Sequence, residues 1–240
     1  MRPEIPRNCG MLVQRQLQRT FVRPLWALSL GLFLLASAMA PERAEARPSH
    51  HVYCIRGVLN VFSLGMDDIC QKLSKMGLSA SVHNHVVWSS LADEAAAKYK
   101  SGKARSIVLI GHSAGAAAVA DIASRLGELG VPVKLAIELD CLWATTASGQ
   151  VEQFLNYYVA DGAGKLVAKG PKFRGTLRNI SLSKKIPDLG HFSIDKNPKV
   201  QSMVIGHVRQ ALASSPAQPS TPSPPAAGTT GASAGKSATQ

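Results

Sequence analysis

The sequence predicts an α/β protein: a mostly parallel sheet with helices on both faces, a three-layer αβα sandwich of minimal size with no large lid. Three observations carry that expectation. Strand-type and helix-type segments alternate along the middle of the chain. The run 106–110 (SIVLI) is almost wholly apolar, as suits a parallel strand covered on both sides. A glycine-flanked turn then joins that run directly to a helix of small residues. Alternation of this kind closes most readily as an open sheet with right-handed helical crossovers.

The elements follow in order. Residues 51–56 (HVYCIR) form a short β-type run closed by Gly57. From 64 to 76, Leu64, Ile69, Leu73 and Met76 recur at helical spacing, and Gly77 ends the pattern. Residues 79–88 (SASVHNHVVW) favour a strand, and 91–99 is an alanine-rich helix. After the 106–110 strand, a helix over 114–129 stops at Gly130. Strands are expected over 132–139 (PVKLAIEL), 152–159 (EQFLNYYV) and 174–180 (RGTLRNI), and a last helix over 198–212.

Both ends fall outside this pattern. Arg2, Arg7, Arg15, Arg19 and Arg23 precede an uncharged apolar run over 25–40, and small residues follow it. That is the layout of an export signal, with cleavage expected after Ala46, because cleavage after Ala40 would leave Pro41 first. A retained membrane anchor is the alternative reading, although the run is shorter than the roughly 20 residues that span a bilayer core. The expected location is therefore the periplasm or the exterior, or else the inner membrane surface. At the other end, 214–240 is rich in Pro, Ser and Ala, with no large aliphatic or aromatic side chain. Such a segment cannot bury enough surface to offset its chain entropy, so it reads as a disordered tail. The domain proper is expected over 47–213.

The 240-residue chain has a formal charge of +12. No block of like charges, basic-aromatic RNA motif or zinc-finger spacing accompanies that surplus, so nucleic acid is not expected as a partner. A small-molecule or acyl substrate is expected instead. Association with a membrane surface and the oligomeric state stay open.

The chemistry concentrates at Gly111-His112-Ser113-Ala114-Gly115, a G-x-S-x-G. The motif alone is weak, but here a buried-type strand runs into it and a helix begins within it. A sharp strand-to-helix turn needs glycine on either side, and it lifts the serine hydroxyl above the sheet edge. It also aims the Ala114 N–H and the helix N-terminus at the place where an oxyanion would form.

On these residues the chain resembles the α/β-hydrolase superfamily, nearest its small exported lipase- and thioesterase-like members, over about residues 51–212. The resemblance implies a triad in the order Ser, acid, His. Ser113 matches the nucleophile. His191, in Leu189-Gly190-His191-Phe192, matches the base between the last strand and the final helix. Two aspartates compete for the acid. Asp140 ends 132–139 in a Leu-Asp that related small hydrolases continue with proline, and here Cys141 follows; Asp161 ends the next strand, the commoner superfamily position. Both lie at strand C-termini, where open α/β sheets bind ligands. Asp140 is preferred, with Asp161 as the alternative. The loop after the first strand, Arg56-Gly57-Val58-Leu59-Asn60, matches the second oxyanion element, with Val58 or Leu59 N–H as donor. Phe62, Leu64 and Met66 would form an apolar rim beside the serine.

Other residues are weighed and set lower. His83 and His85 alternate on an expected strand and could meet a metal, but no third ligand is apparent. Asp188 and Asp195 read as loop and cap residues, and His112 is expected to point away from the site. Cys54 and Cys70 could bridge, and Cys141 reads as a buried small residue. Together these readings predict an exported serine hydrolase of an ester or thioester that needs no cofactor and no metal. The competing class is a catalytically silent α/β-hydrolase-like envelope binding protein, favoured by Arg56-Gly57 and by the missing proline after Asp140.

Overall fold

The computed structural model describes residues 49–58 and 61–214. The leader reading of 1–46 lies outside the described residues, as does all of the tail 214–240 except Ser214.

Six strands build one sheet in the spatial order β2, β1, β3, β4, β6, β8, and every pair in it is parallel. They are β1 (Ser49–Arg56), β2 (Ser79–Asn84), β3 (Ala104–His112), β4 (Val133–Leu139), β6 (Val151–Tyr158) and β8 (Thr176–Ser181). Two three-residue strands, β5 (Thr145–Ala147) and β7 (Val167–Lys169), pair separately. Four helices cover the sheet: α1 (Gly65–Lys75), α2 (Trp88–Lys100), α3 (Ala114–Glu128) and α4 (Pro198–Ala213). The chain thus has the three-layer α/β-hydrolase fold.

Strand alternation decides which helices meet which face. Val52, Cys54, Val108, Ile110, Leu135 and Ile137 face α1 and α4, where Met66, Ile69, Leu73, Val200, Val204 and Val208 complete a core. The intervening residues Tyr53, Ile55, Ile107, Leu109 and Phe154 face α2 and α3. Those two helices contribute Ala92, Ala95, Ala118 and Ala123, small side chains that let them lie close to the sheet. β3 and β4 sit inside the sheet and are buried almost throughout, which is why their sequences read as continuous apolar runs.

Two local readings are corrected. β2 does not run to Trp88 but stops at Asn84, whose side chain accepts the Val86 N–H at 3.0 Å and opens a 3-10 turn over His85–Val87. The 3-10 turn runs directly into α2, which starts at Trp88, three residues earlier than alanine content suggests. His85 therefore leaves the strand, and His83 and His85 do not share a strand face. The short strands β5 and β7 were not anticipated, since three residues are too few to show an alternation.

One buried acid strains the core. Glu138 on β4 is fully buried, and both of its carboxyl oxygens lie 3.0 Å from the Thr145 hydroxyl. Burial pushes its pKa up to about 8, against the Thr145 hydrogen bond and with some help from the Asp121 charge. A folded-state pKa above the unfolded one means that the native state holds the extra proton. The contribution to stability is whole below the ordinary glutamate pKa and is lost as pH rises through about 8. Thermal melts from pH 5 to pH 9 should show the wild type losing stability across this window. Glu138→Gln, which cannot ionise, should remove most of that slope.

Candidate active site

Ser113 is the single residue between the end of β3 and the start of α3, with φ 59° and ψ −121°. A non-glycine residue held there stores roughly 1–3 kcal/mol of strain, so the surroundings must enforce it. They do so by close packing. A Cβ on Gly111 would lie 2.1 Å from the Gly115 carbonyl oxygen, and one on Gly115 would lie 2.2 Å from that of Ile55. Only glycine fits either side of the turn. The Ser113 N–H also donates to the Leu139 carbonyl at 3.1 Å, tying the turn to the neighbouring strand.

Three side chains then converge. His191 Nε2 lies 3.0 Å from Ser113 Oγ, and His191 Nδ1 lies 2.8 Å from Asp140 Oδ2. Asp140 is fully buried at the end of β4, and its other oxygen accepts the Val159 N–H at 2.8 Å. With Nδ1–H donating to the carboxylate, Nε2 presents its lone pair to the serine hydroxyl. A hydroxyl held this way can attack a carbonyl while the imidazole takes its proton.

The loop after β6 closes over the acid. A Cβ on Gly164 would fall 2.0 Å from Asp140 Oδ1 and 3.0 Å from Tyr158 Cβ, so the backbone passes directly against the carboxylate. Asp161, the alternative acid, is exposed in the same loop, and Asp140 takes the place beside His191 Nδ1.

Two backbone N–H groups matter for the expected oxyanion site. Ala114 is the first residue of α3 and has no intrahelical acceptor for its N–H. The Gly57 N–H is taken by Ser63 Oγ at 3.0 Å, so of the described residues in the loop after β1 it is Val58 whose N–H has no such side-chain acceptor. Neither Ala114 nor Val58 gives its N–H to another backbone group among the described residues. Leu59 lies outside the described residues. Arg56 turns away and pairs with Asp67 through both Nε, at 2.8 Å, and Nη2.

The expected rim needs revision. Met66 is buried in the α1–α4 core, Leu64 is half exposed, and the side chain of Phe62 lies outside the described residues. The exposed apolar residues Val58, Val61, Val86, Trp143 and Phe192 instead follow strand ends on this edge of the sheet.

Sequence reasoning missed a buried hydrogen-bond chain behind the site. His112 does not point to an unrelated region: its Nε2–H donates to the His191 carbonyl at 2.9 Å. Its Nδ1 accepts from Ser63 Oγ at 2.8 Å, and Ser63 in turn accepts the Gly57 N–H. Burial first, and the neighbouring His191 second, lower the His112 pKa to about 4, so the ring is neutral at pH 7 with the proton on Nε2. Asp195, also buried, accepts the Gly65 N–H at 2.9 Å and sits 4.0 Å from His112 Nδ1. Burial pushes its carboxyl up to about 6. The available signal was the His112 position itself, a polar residue inside a strand with no solvent to face.

Cys54, Cys70 and Cys141 are free and buried, and the first two thiols are hydrogen-bonded to each other rather than bridged. Among the described residues no group of three or more His, Cys, Asp or Glu side chains could hold a metal ion.

The chain matches no protein-family model, and no curated protein matches it in sequence. Solved structures do. Est1E from Butyrivibrio proteoclasticus superposes with a TM-score of 0.50 at 10% identity, covering 71% of this chain and 91% of that one. Human thioesterase 2 superposes with a TM-score of 0.45 at 9% identity, covering 69% and 97%. An esterase from Pyrobaculum calidifontis gives 0.42 at 12% identity, covering 70% and 76%. At these identities the likeness to Est1E establishes the fold and nothing finer.

Proposed function

We propose that this protein is a serine hydrolase of an ester or thioester, with Ser113 as nucleophile, His191 as general base and Asp140 as the orienting acid. The observation that carries the reading is the pair of contacts at His191, 3.0 Å to Ser113 Oγ and 2.8 Å to Asp140 Oδ2. Ser113 Oγ attacks the carbonyl carbon as Nε2 accepts its proton. The developing oxyanion is met by the Ala114 and Val58 N–H groups. His191 then protonates the leaving alcohol or thiol, and a water molecule activated by the same imidazole releases the acid and restores Ser113. A fluorophosphonate probe tests this directly. The wild type should be labelled and Ser113→Ala should not; an unlabelled, folded wild type would point to the silent envelope binding protein instead.

His112 enters this reading as a positioning residue for the His191 backbone. His112→Ala removes the donor to the His191 carbonyl and leaves a buried oxygen unsatisfied, a change worth roughly 1–3 kcal/mol. If that cost falls on the geometry of the base, kcat should drop about tenfold or more with KM little changed. His112→Gln, whose amide can still reach the carbonyl, should recover much of the loss. Equal losses in both variants, confined to thermal stability, would make His112 merely structural.

A further inference from the structure

A cleft of about 510 Å³ opens beside Ala114 and runs along α3. Val58, Ala114, Ala117, Ala118 and the two tryptophans Trp88 and Trp143 are among the residues that line it. One acidic side chain, Asp121, lines it, and none of its other lining residues is an acid, a lysine or an arginine. Asp121 makes no hydrogen bond or ion pair among the described residues. Asp121 is exposed to solvent on the cleft, and the part of it that is covered raises its carboxyl pKa. His85 also borders the cleft, with a buried Nδ1 that lacks a partner.

Indole faces with an unpaired carboxylate are the surroundings that an organic cation seeks, since the ring quadrupole and the anion attract the same charge. They are poor surroundings for a carboxylate or phosphate tail. Resting on the hydrolase reading above, we propose that this cleft is a substrate subsite for an alkylammonium group, with Asp121 as its counter-ion and Trp88 and Trp143 as its aromatic walls. The reach is set by α3: from Ser113 to Asp121 the helix rises roughly 12 Å. A substrate of this class carries its positive charge at the end of an apolar chain of about eight to ten atoms from the reacting carbonyl, given about 3.5 Å for every three bonds of extended chain.

The test reads binding apart from turnover. Trp88 and Trp143 both line the cleft, so tryptophan fluorescence of the full chain can follow titration with octylammonium chloride, sodium octanoate or 1-octanol. Octylammonium is expected to bind about fivefold tighter than 1-octanol, the scale of a partly exposed ion pair, and octanoate more weakly than either. Asp121→Asn should erase the margin between octylammonium and 1-octanol, and Asp121→Lys should turn the preference towards octanoate. Octylammonium binding no tighter than 1-octanol, or a margin unchanged in Asp121→Asn, would overturn the subsite. The fluorophosphonate experiment above fails or succeeds independently, so loss of the hydrolase reading is distinguishable from loss of the cation subsite.

Discussion

Asp140→Asn is expected to lower turnover of a short-chain aryl ester by about 10⁴-fold while leaving the fold intact, the scale of the same change in a serine protease triad. The reason is the proton on His191. Asp140 Oδ2 accepts from Nδ1–H at 2.8 Å, which leaves Nε2 unprotonated towards Ser113. An asparagine amide at that place donates instead, so the ring takes the opposite tautomer and offers the serine an N–H. Asp140 is wholly buried, where its charge acts on a nascent imidazolium through little water. Its second oxygen still has the Val159 N–H to satisfy, and asparagine can keep that bond if its carbonyl faces Val159. Asp161→Asn is expected to change little, because that side chain is exposed. The reverse ranking in steady-state kinetics would remove Asp140 from the triad.

Gly164→Ala carries the second large effect, at a backbone position packed against the Asp140 carboxylate. The added methyl would need to occupy a point 2.0 Å from Asp140 Oδ1, far inside contact distance. Either the loop after β6 lifts or the carboxylate moves, and the second outcome drags the base away from the serine. Misplacement of a catalytic group by about 1 Å costs on the order of 10²-fold, so kcat should fall by about that factor. The fluorophosphonate labelling rate should fall in parallel. Melting should shift much less than activity, since the loop is partly exposed and can yield. A Gly164→Ala variant with normal kcat would mean that the loop moves freely without disturbing the acid.

What the sequence made legible and what it hid divide along physical lines. Ser113 was readable because its turn demands glycine on both sides within five consecutive residues, a constraint written locally. The nearness of His191 and Asp140 to Ser113 was readable through the chain order that the superfamily resemblance implies and through strand ends, where open α/β sheets gather their sites. The choice of Asp140 over Asp161 turned on burial at the end of an interior strand, and Asp140 is the one found against His191. Gly164 was invisible, since nothing near it in sequence indicates that its backbone will lie on a carboxylate from another strand. The chain through Ser63 and His112 was hidden for the same reason: it joins the loop after β1, the end of β3 and the loop bearing His191. β2 was overextended because Val86 and Val87 are β-branched, whereas the Asn84 cap, a side-chain hydrogen bond, prevails over that propensity.

The all-parallel sheet has a kinetic consequence. A hairpin can close over two residues, but each ladder here must wait for a crossover to be traversed before its first hydrogen bond forms. The entropy of those closures is spent ahead of the contacts that reward it, so assembly should be slow and rich in intermediates with open strand edges. β1 is made first yet pairs on both sides, with β2 and with β3, so its inner flank stays unpaired until Ala104–His112 has been synthesised. A nascent chain of this design spends its early life without a cooperative core, and refolding from denaturant should proceed in milliseconds to seconds rather than microseconds.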